Sequence, residues 1–438
     1  DAVERAAYLK TRDALLQDPT VIFVATVDHE EGAYVVEGPA GSLHFTRATD
    51  SAGAWTFSTT KGTVNALFPS VDATRLPDLA SVLAAYENPN AVDLSAAGYA
   101  TGDPRVGFLS HDATAYPLAL ARIASLFDAP NAPDVIVGFA PYAAGGTGSH
   151  GGLGLLQSRS TLMLSGPGIQ RGLVSDAEAT LADVAPTVLA LLGASTTAGA
   201  GRGGHFAGGL YLKRQDGRVL EEALTPPTCH GKRSVVVILL DGALSNELNA
   251  SLLDPDPPVM LATLRALAQS GVVYRHGAIA PYPSFSAPGH MTIGTGVWPG
   301  THGIINNRFF DRSSQKTVDF FGFISDPQML LSEASTFMSV YDDHVSSEVE
   351  TLAQAAHRSL GPWDAASGTG AFVAVLNDFP VKGADVTSFD LVNASPRLHR
   401  ASFALAELAD DFALNQALAL IEDPSLPVPT ILQLSFYT

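Results

Sequence analysis

Ser234-Val-Val-Val-Ile-Leu-Leu-Asp241-Gly242 is six apolar residues in a row, four of them β-branched, ending in one carboxylate and a glycine. A short apolar run of this kind predicts a strand buried on both faces, as in a parallel sheet, and such sheets bind ligands at the carboxyl ends of their strands. Asp241 is therefore a candidate site residue. Runs of the same character recur at residues 20–27, 134–139, 161–164, 371–375 and 429–436. Between several of them lie helical patterns at 2–16, 118–127, 181–192, 259–269, 349–359 and 401–420. Strands alternating with helices predict an α/β chain layered as an α/β/α sandwich with a mostly parallel central sheet. Residues 31–103 and 308–347 break the rhythm, being rich in Ser, Thr, Asp and aromatics, and read as cap-like insertions over one end of the sheet. The glycine-rich segment 196–209 reads as a surface linker between two halves.

Composition bounds the function. The 438 residues carry 44 acidic against 25 basic side chains, a formal charge of −19, with no run of Lys or Arg, so a phosphate-backbone grip on nucleic acid is not expected. Hydrophobic residues make up 46% of the chain, which describes a packed globule rather than disorder. Apolar stretches such as 235–240 are far shorter than the roughly 20 residues that span a bilayer, so no membrane span is expected. Cys229 is the single cysteine and can form neither an internal disulfide nor a thiolate cage; in its Pro-Pro-Thr-Cys-His-Gly setting it reads as an inert loop residue. Cellular address and oligomeric state are left open by these features.

The chemistry concentrates about 45 residues after Asp241, in Pro281-Tyr-Pro-Ser-Phe-Ser286-Ala-Pro-Gly-His290 and Gly294-Thr-Gly296-Val-Trp-Pro-Gly-Thr-His302-Gly303-Ile-Ile-Asn306-Asn307. This block resembles the alkaline phosphatase superfamily, in particular its nucleotide pyrophosphatase/phosphodiesterase branch, where a hydroxyl nucleophile stands two residues before Pro and four before His. The resemblance implies that Ser286 is the nucleophile and that Asn307 touches the phosphoryl group. Thr20-Val-Ile-Phe-Val-Ala-Thr-Val-Asp28-His29 resembles the family strand that ends in an Asp-His metal pair, although Glu30 stands where the family has Gly. Gly148-Ser-His150-Gly151, with Asp183-Val-Ala-Pro186-Thr187 after it, resembles the late metal-binding His and the closing segment.

A phosphate ester resists attack because its own oxygens are negative, so such a site needs cations to neutralise charge and to hold the nucleophile as alkoxide. On the resemblance, two divalent ions are implied: one on Asp241, Ser286, Asp28 and His29, the other on His150 and further groups. Mixed oxygen and nitrogen donors suit zinc, with manganese a second choice. The implied activity is hydrolysis of a small phosphate ester through a covalent phosphoserine, with phosphomutase, sulfatase or an inactive phospho-ligand binder as alternatives. His290 and His302 read as residues that shape their turns, and Asp342-Asp343-His344 as a solvated acidic loop. The glycine-rich 145–154 lacks the Gly-Lys-Ser/Thr ending of a P-loop, and Ser165-Gly-Pro-Gly does not form a nucleophile elbow.

The family runs from the Asp-Gly strand through the nucleophile to an Asp-x-x-x-His pair, then Asp-His, then the late His. Here residues 1–225 resemble the second part and 226–438 the first, so one domain spanning 1–438 is expected with its motif order circularly permuted. The Asp-x-x-x-His pair should follow the strand at 429–436. Both termini are then expected beside the metal site.

Overall fold

The computed structural model describes residues 2–39, 41–50, 55–67, 116–139, 150–226, 234–243, 245, 248, 251–252, 261–319, 343–388, 406–424 and 426–437. Cys229, Asp342, Asp1, Thr438 and most of the two expected insertions lie outside them, as does the Asp-x-x-x-His gap.

Helix α1 (Ala2–Leu15) leads into β1 (Val21–Asp28), β2 (Ala33–Gly38), β3 (Gly41–Thr49) and β4 (Trp55–Lys61), with the short α2 (Val64–Leu67) after them. Helix α3 (Ala119–Phe127) then precedes β5 (Ile136–Phe139). These strands form one sheet in the order β4-β3-β2-β1-β5, and every neighbouring pair is antiparallel. This corrects two expectations. Strands at 20–27 and 134–139 are not parallel, and residues 33–61 extend the sheet as a meander instead of forming an insertion. The reason is local: Gly32 adopts φ 62° in the β1–β2 turn, which returns the chain antiparallel into β2.

Helix α4 (Leu155–Ser158) and β6 (Arg159–Ser165) follow, then β7 (Leu173–Ser175), α5 (Val184–Leu191) and the pair β8 (Thr197–Ala200) and β9 (Phe206–Leu210). The expected linker at 196–209 is thus an antiparallel hairpin. Strand β10 (Val235–Asp241), α6 (Ala262–Gln269) and β11 (Gly271–Ile279) come next. β11 pairs antiparallel with β6 and parallel with β7, making a three-stranded sheet.

Helix α7 (Ser286–Thr295) and the single turn α8 (Pro299–His302) precede the hairpin β12 (Arg308–Asp311) and β13 (Lys316–Asp319). The chain then builds α9 (Leu352–Leu360), β14 (Val373–Leu376), β15 (Val386–Thr387), α10 (Ala406–Glu422) and β16 (Ile431–Tyr437). Helix α9 starts with a capping box, in which the Thr351 side chain accepts from the Gln354 amide and Gln354 reaches back to the Thr351 amide.

The parallel expectation holds in the second half. β10, β16, β14 and β15 form a parallel sheet in that order. β14 is buried throughout, and Ile431 to Ser435 of β16 are nearly inaccessible, as central strands with both faces covered should be. β10 departs from this: it is the edge strand beside β16, and among the described residues Val236, Ile238 and Leu240 are exposed on one of its faces. The fold is therefore mixed α/β with several sheets, one of them parallel.

One core joins the two halves of the chain. Phe23, Leu43 and Phe45 from the meander and Ile123 from α3 pack with Tyr282, Ala287, Met291, Ile304 and Phe379. Every residue of α7 from Ala287 to Thr295 is buried, which seats the start of this helix rigidly between the meander and the parallel sheet.

Candidate active site

Ser286 is the first residue of α7, after Phe285 in extended conformation. Pro288 falls in the first turn, where its missing N–H is harmless and its ring favours the helical φ. The hydroxyl therefore stands at the positive end of a ten-residue helix, which favours negative charge on or near it. The Asn307 side-chain carbonyl accepts the Ala287 amide at 2.8 Å. That bond fixes the amide group, whose nitrogen is a neutral donor near the start of α7.

Asp241 sits at the carboxyl end of β10, in register with Tyr437 of β16. Burial alone would raise its pKa, but hydrogen bonds from His290 and Ser286 and the charges of His290 and His150 outweigh that and hold the carboxylate below its usual range. Ser286 and Asp241 are thus brought together as expected, with His150 close enough to act on Asp241 electrostatically.

Two residues that the motif reading left aside complete the arrangement. His290, one helical turn after Ser286, is expected to shape a turn but instead lies between two carboxylates. Its Nδ1 is 2.7 Å from Asp378 and its Nε2 is 3.6 Å from Asp241. Burial would lower its pKa, and the Asp378 charge together with hydrogen bonds to Asp241 and Asp378 overcomes this and pushes it up to about 10. Asp378 follows β14, and Asn377 before it adopts φ 52°, a left-handed turn that its amide braces by donating to Ser435 O and Asp410. The Asp378 carboxylate also accepts from Gln433 Nε2 at 2.7 Å and from the Phe379 amide at 2.7 Å. The sign that could have found it is the one that found Asp241, a carboxylate delivered just after a buried strand. His302 behaves as expected: it is fully buried, burial drives its pKa down to about 3, and its Nδ1 accepts the Ile304 amide.

The segment that follows His150 is stitched to the loop that precedes Ser286. The Gly151 amide donates to Ser284 O and Ser284 Oγ at 3.2 Å, and Ser284 Oγ donates to Gly152 O at 3.0 Å. The His150 ring meets Phe285 edge to face at 4.9 Å. Glycine is needed at 151 because φ is 93° and a Cβ would lie 2.4 Å from the Phe285 ring. Beneath, the fully buried Arg122 donates to Leu153 O at 2.6 Å, Ser158 Oγ at 2.5 Å and Pro281 O at 3.3 Å, fastening both loops to α3.

Asp28 and His29 are placed differently. Asp28 ends β1 at the hairpin, where its carboxylate accepts the Glu30 and Glu31 amides at 3.0 and 3.1 Å, and His29 is exposed on the turn. The antiparallel hairpin uses this carboxylate as a turn residue, and neither residue forms a metal-holding group with Asp241. No group of three or more His, Cys, Asp or Glu that could hold a metal occurs among the described residues. One carboxylate and one hydroxyl, with an imidazole at longer range, fall short of the four ligands zinc takes. The described residues therefore do not complete either of the two expected metal sites.

A cavity of about 710 Å³ is lined by Phe285, His150 and residues of β1, β5, the loop after His150 and the segment 305–312, while Ser286, Asp241 and Asn307 are not part of its lining.

Residues 235–349 match the family of type I phosphodiesterases and nucleotide pyrophosphatases. The match holds Asp241, Ser286, His290 and Asn307, and leaves Asp28, His29, His150 and Asp378 outside. It supports the alkaline phosphatase superfamily and a phosphoester hydrolase activity, in a family that is generally dependent on divalent metals. No curated protein and no solved structure matches the chain.

Proposed function

We propose that this chain hydrolyses small phosphate esters through a covalent phosphoserine at Ser286. The observation that carries this reading is the geometry inside the matched segment: a serine at the positive end of a buried helix, hydrogen-bonded to a strand-end carboxylate, with a fixed side-chain amide one residue along. In this reading the Ser286 oxygen attacks phosphorus, the leaving alcohol departs, and water then releases the phosphoryl group. Asn307 donates its amide hydrogen to a phosphoryl oxygen, and the helix start stabilises charge that builds up during transfer. His290, fixed by Asp378, holds Asp241 in place.

Two divalent ions, zinc first, belong to the proposal through the resemblance. Asp241 and Ser286 are the ligands this chain brings together, and the remaining donors would come from elsewhere than Asp28 and His29. The circularly permuted order, with 1–225 standing for the family's second part and 226–438 for its first in one domain, is likewise part of the proposal.

Diesters are taken at least as well as monoesters, as the likeness to the diesterase branch implies. A panel of bis-aryl and mono-aryl phosphates decides this, and a large monoester preference would refute it. A second reading, a phospho-ligand binder without turnover, is favoured by one observation, the absence of a complete metal group among the described residues. Metal analysis of the purified chain separates the two: two ions per chain support the enzyme, and none supports the binder.

A further inference from the structure

Phe285 is tied to α7 through its backbone: its carbonyl accepts the Gly289 amide at 3.0 Å, a first-turn bond of the buried helix that begins at Ser286. Its ring meets the His150 ring with the planes at 90° and the centroids 4.9 Å apart, inside the favoured edge-to-face range of about 4.5–7 Å. Ser284, next to it in the chain, grips the two residues after His150. Its Oγ accepts the Gly151 amide at 3.2 Å and donates to the Gly152 carbonyl at 3.0 Å. We propose, resting on the phosphoester reading above, that Ser284 and Phe285 are positioning residues: they hold the His150 imidazole in one direction relative to Ser286 and Asp241, and phosphoryl transfer slows without them.

His150 is exposed, and an exposed side chain held in one direction loses rotamer entropy that its contacts must offset. Those contacts come from the two residues immediately before Ser286, so the imidazole and the hydroxyl are referred to one short piece of backbone. Core packing does not explain them. Among the described residues Phe285 is half-buried and stands outside the apolar cores, and it lines the same cavity as His150. Position 151 is also shaped to the ring, since any Cβ there would lie 2.4 Å from it. Held this way, His150 stands within electrostatic reach of Asp241. A group misplaced by about 1 Å at a reacting centre can cost on the order of a hundredfold in rate, which is what such a tether guards against.

The test joins imidazole NMR of the full chain to a double-mutant cycle in turnover of bis-p-nitrophenyl phosphate. The His150 ring signals are identified by their loss in His150→Ala. In the parent they should be displaced from those of a free histidine by the Phe285 ring current, and Phe285→Leu should return them. Phe285→Leu should lower kcat by roughly tenfold with KM nearly unchanged, and Ser284→Ala should lower it by less. In the His150→Ala background neither change should lower kcat further, because both act through His150. Ser284→Ala, which removes one oxygen, keeps the cycle readable if the leucine variant does not fold. Parent-like kcat in both variants, His150 signals that ignore Phe285→Leu, or equal losses of kcat in the two backgrounds overturns the inference. A parent without turnover whose His150 signals respond as expected supports the tether and removes the phosphoester reading instead.

Discussion

Nδ1 of His290 lies 2.7 Å from Oδ1 of Asp378, and the Asp378 side chain is wholly buried. One bond thus ties helix α7, which begins at Ser286, to the end of β14 in the parallel sheet. It fixes the imidazole so that its other nitrogen faces Asp241.

Removing Asp378 should therefore take from the buried His290 cation its nearer carboxylate and leave only Asp241, at 3.6 Å. Asp378→Ala is expected to destabilise the fold by about 3–5 kcal/mol, the typical cost of breaking a buried pair. Asp378→Asn keeps the shape and should cost less, while still lowering kcat more than it changes KM. Urea denaturation with steady-state kinetics checks both; an unchanged midpoint in the alanine variant would contradict the pairing.

Arg122→Met should remove the guanidinium donor from the Pro281 carbonyl and leave the Leu153 carbonyl with the Ser158 hydroxyl alone. Each buried polar group left unsatisfied costs roughly 1–3 kcal/mol, so a loss of several kcal/mol is expected in chemical denaturation. Arg122→Lys should recover part of it, because an ammonium can still reach some of the same oxygens.

Asn307→Ala should lower kcat/KM by the equivalent of about 1–3 kcal/mol, the loss typical of one positioned donor. The same change also removes the acceptor for the Ala287 amide, so Asn307→Asp serves as the control. It keeps an acceptor and replaces the donor with a charge that repels phosphate, and its rate should fall at least as far.

Acid should expose the Glu222 ion pair. The hydrogen bond from Arg218 leads the effects that depress the Glu222 pKa from 4.5 to about 2, with Tyr274 also donating at 3.0 Å. A depressed acid contributes stability that is full above its unfolded value and is lost as pH falls through the folded one. The contribution should therefore fade between about pH 4.5 and pH 2. With the carboxylate 30% exposed, solvent weakens the effect. Thermal unfolding of Glu222→Gln against the parent should show a gap that closes across this window; a gap unchanged at pH 2 would contradict it.

Much of the architecture was legible because apolar runs and helical periods report burial directly. Six expected strands correspond to β1, β5, β6, β10, β14 and β16, and six expected helices to α1, α3, α5, α6, α9 and α10. Strand direction was not legible in the first half, because an apolar run reads alike in parallel and antiparallel pairing. The β1–β2 turn claims Asp28, which local sequence presents as a strand-end carboxylate like Asp241. Ser286 and Asp241 were recoverable from the motif block. Asp378 follows the buried strand 371–375 and could have been marked as a strand-end carboxylate, but its pairing with His290 depends on another element reaching across, which no spacing along the chain records.

The central claim is that Ser286 carries the phosphoryl group. The direct measurement is rapid acid quench of the full chain turning over an aryl phosphate diester, followed by peptide mass mapping. The account predicts one phosphoryl group on the peptide holding Ser286, its phosphorus still carrying the substrate's second ester group, with label and turnover both lost in Ser286→Ala. Turnover that persists in Ser286→Ala, with no phosphoryl group on Ser286 in the parent, would contradict it.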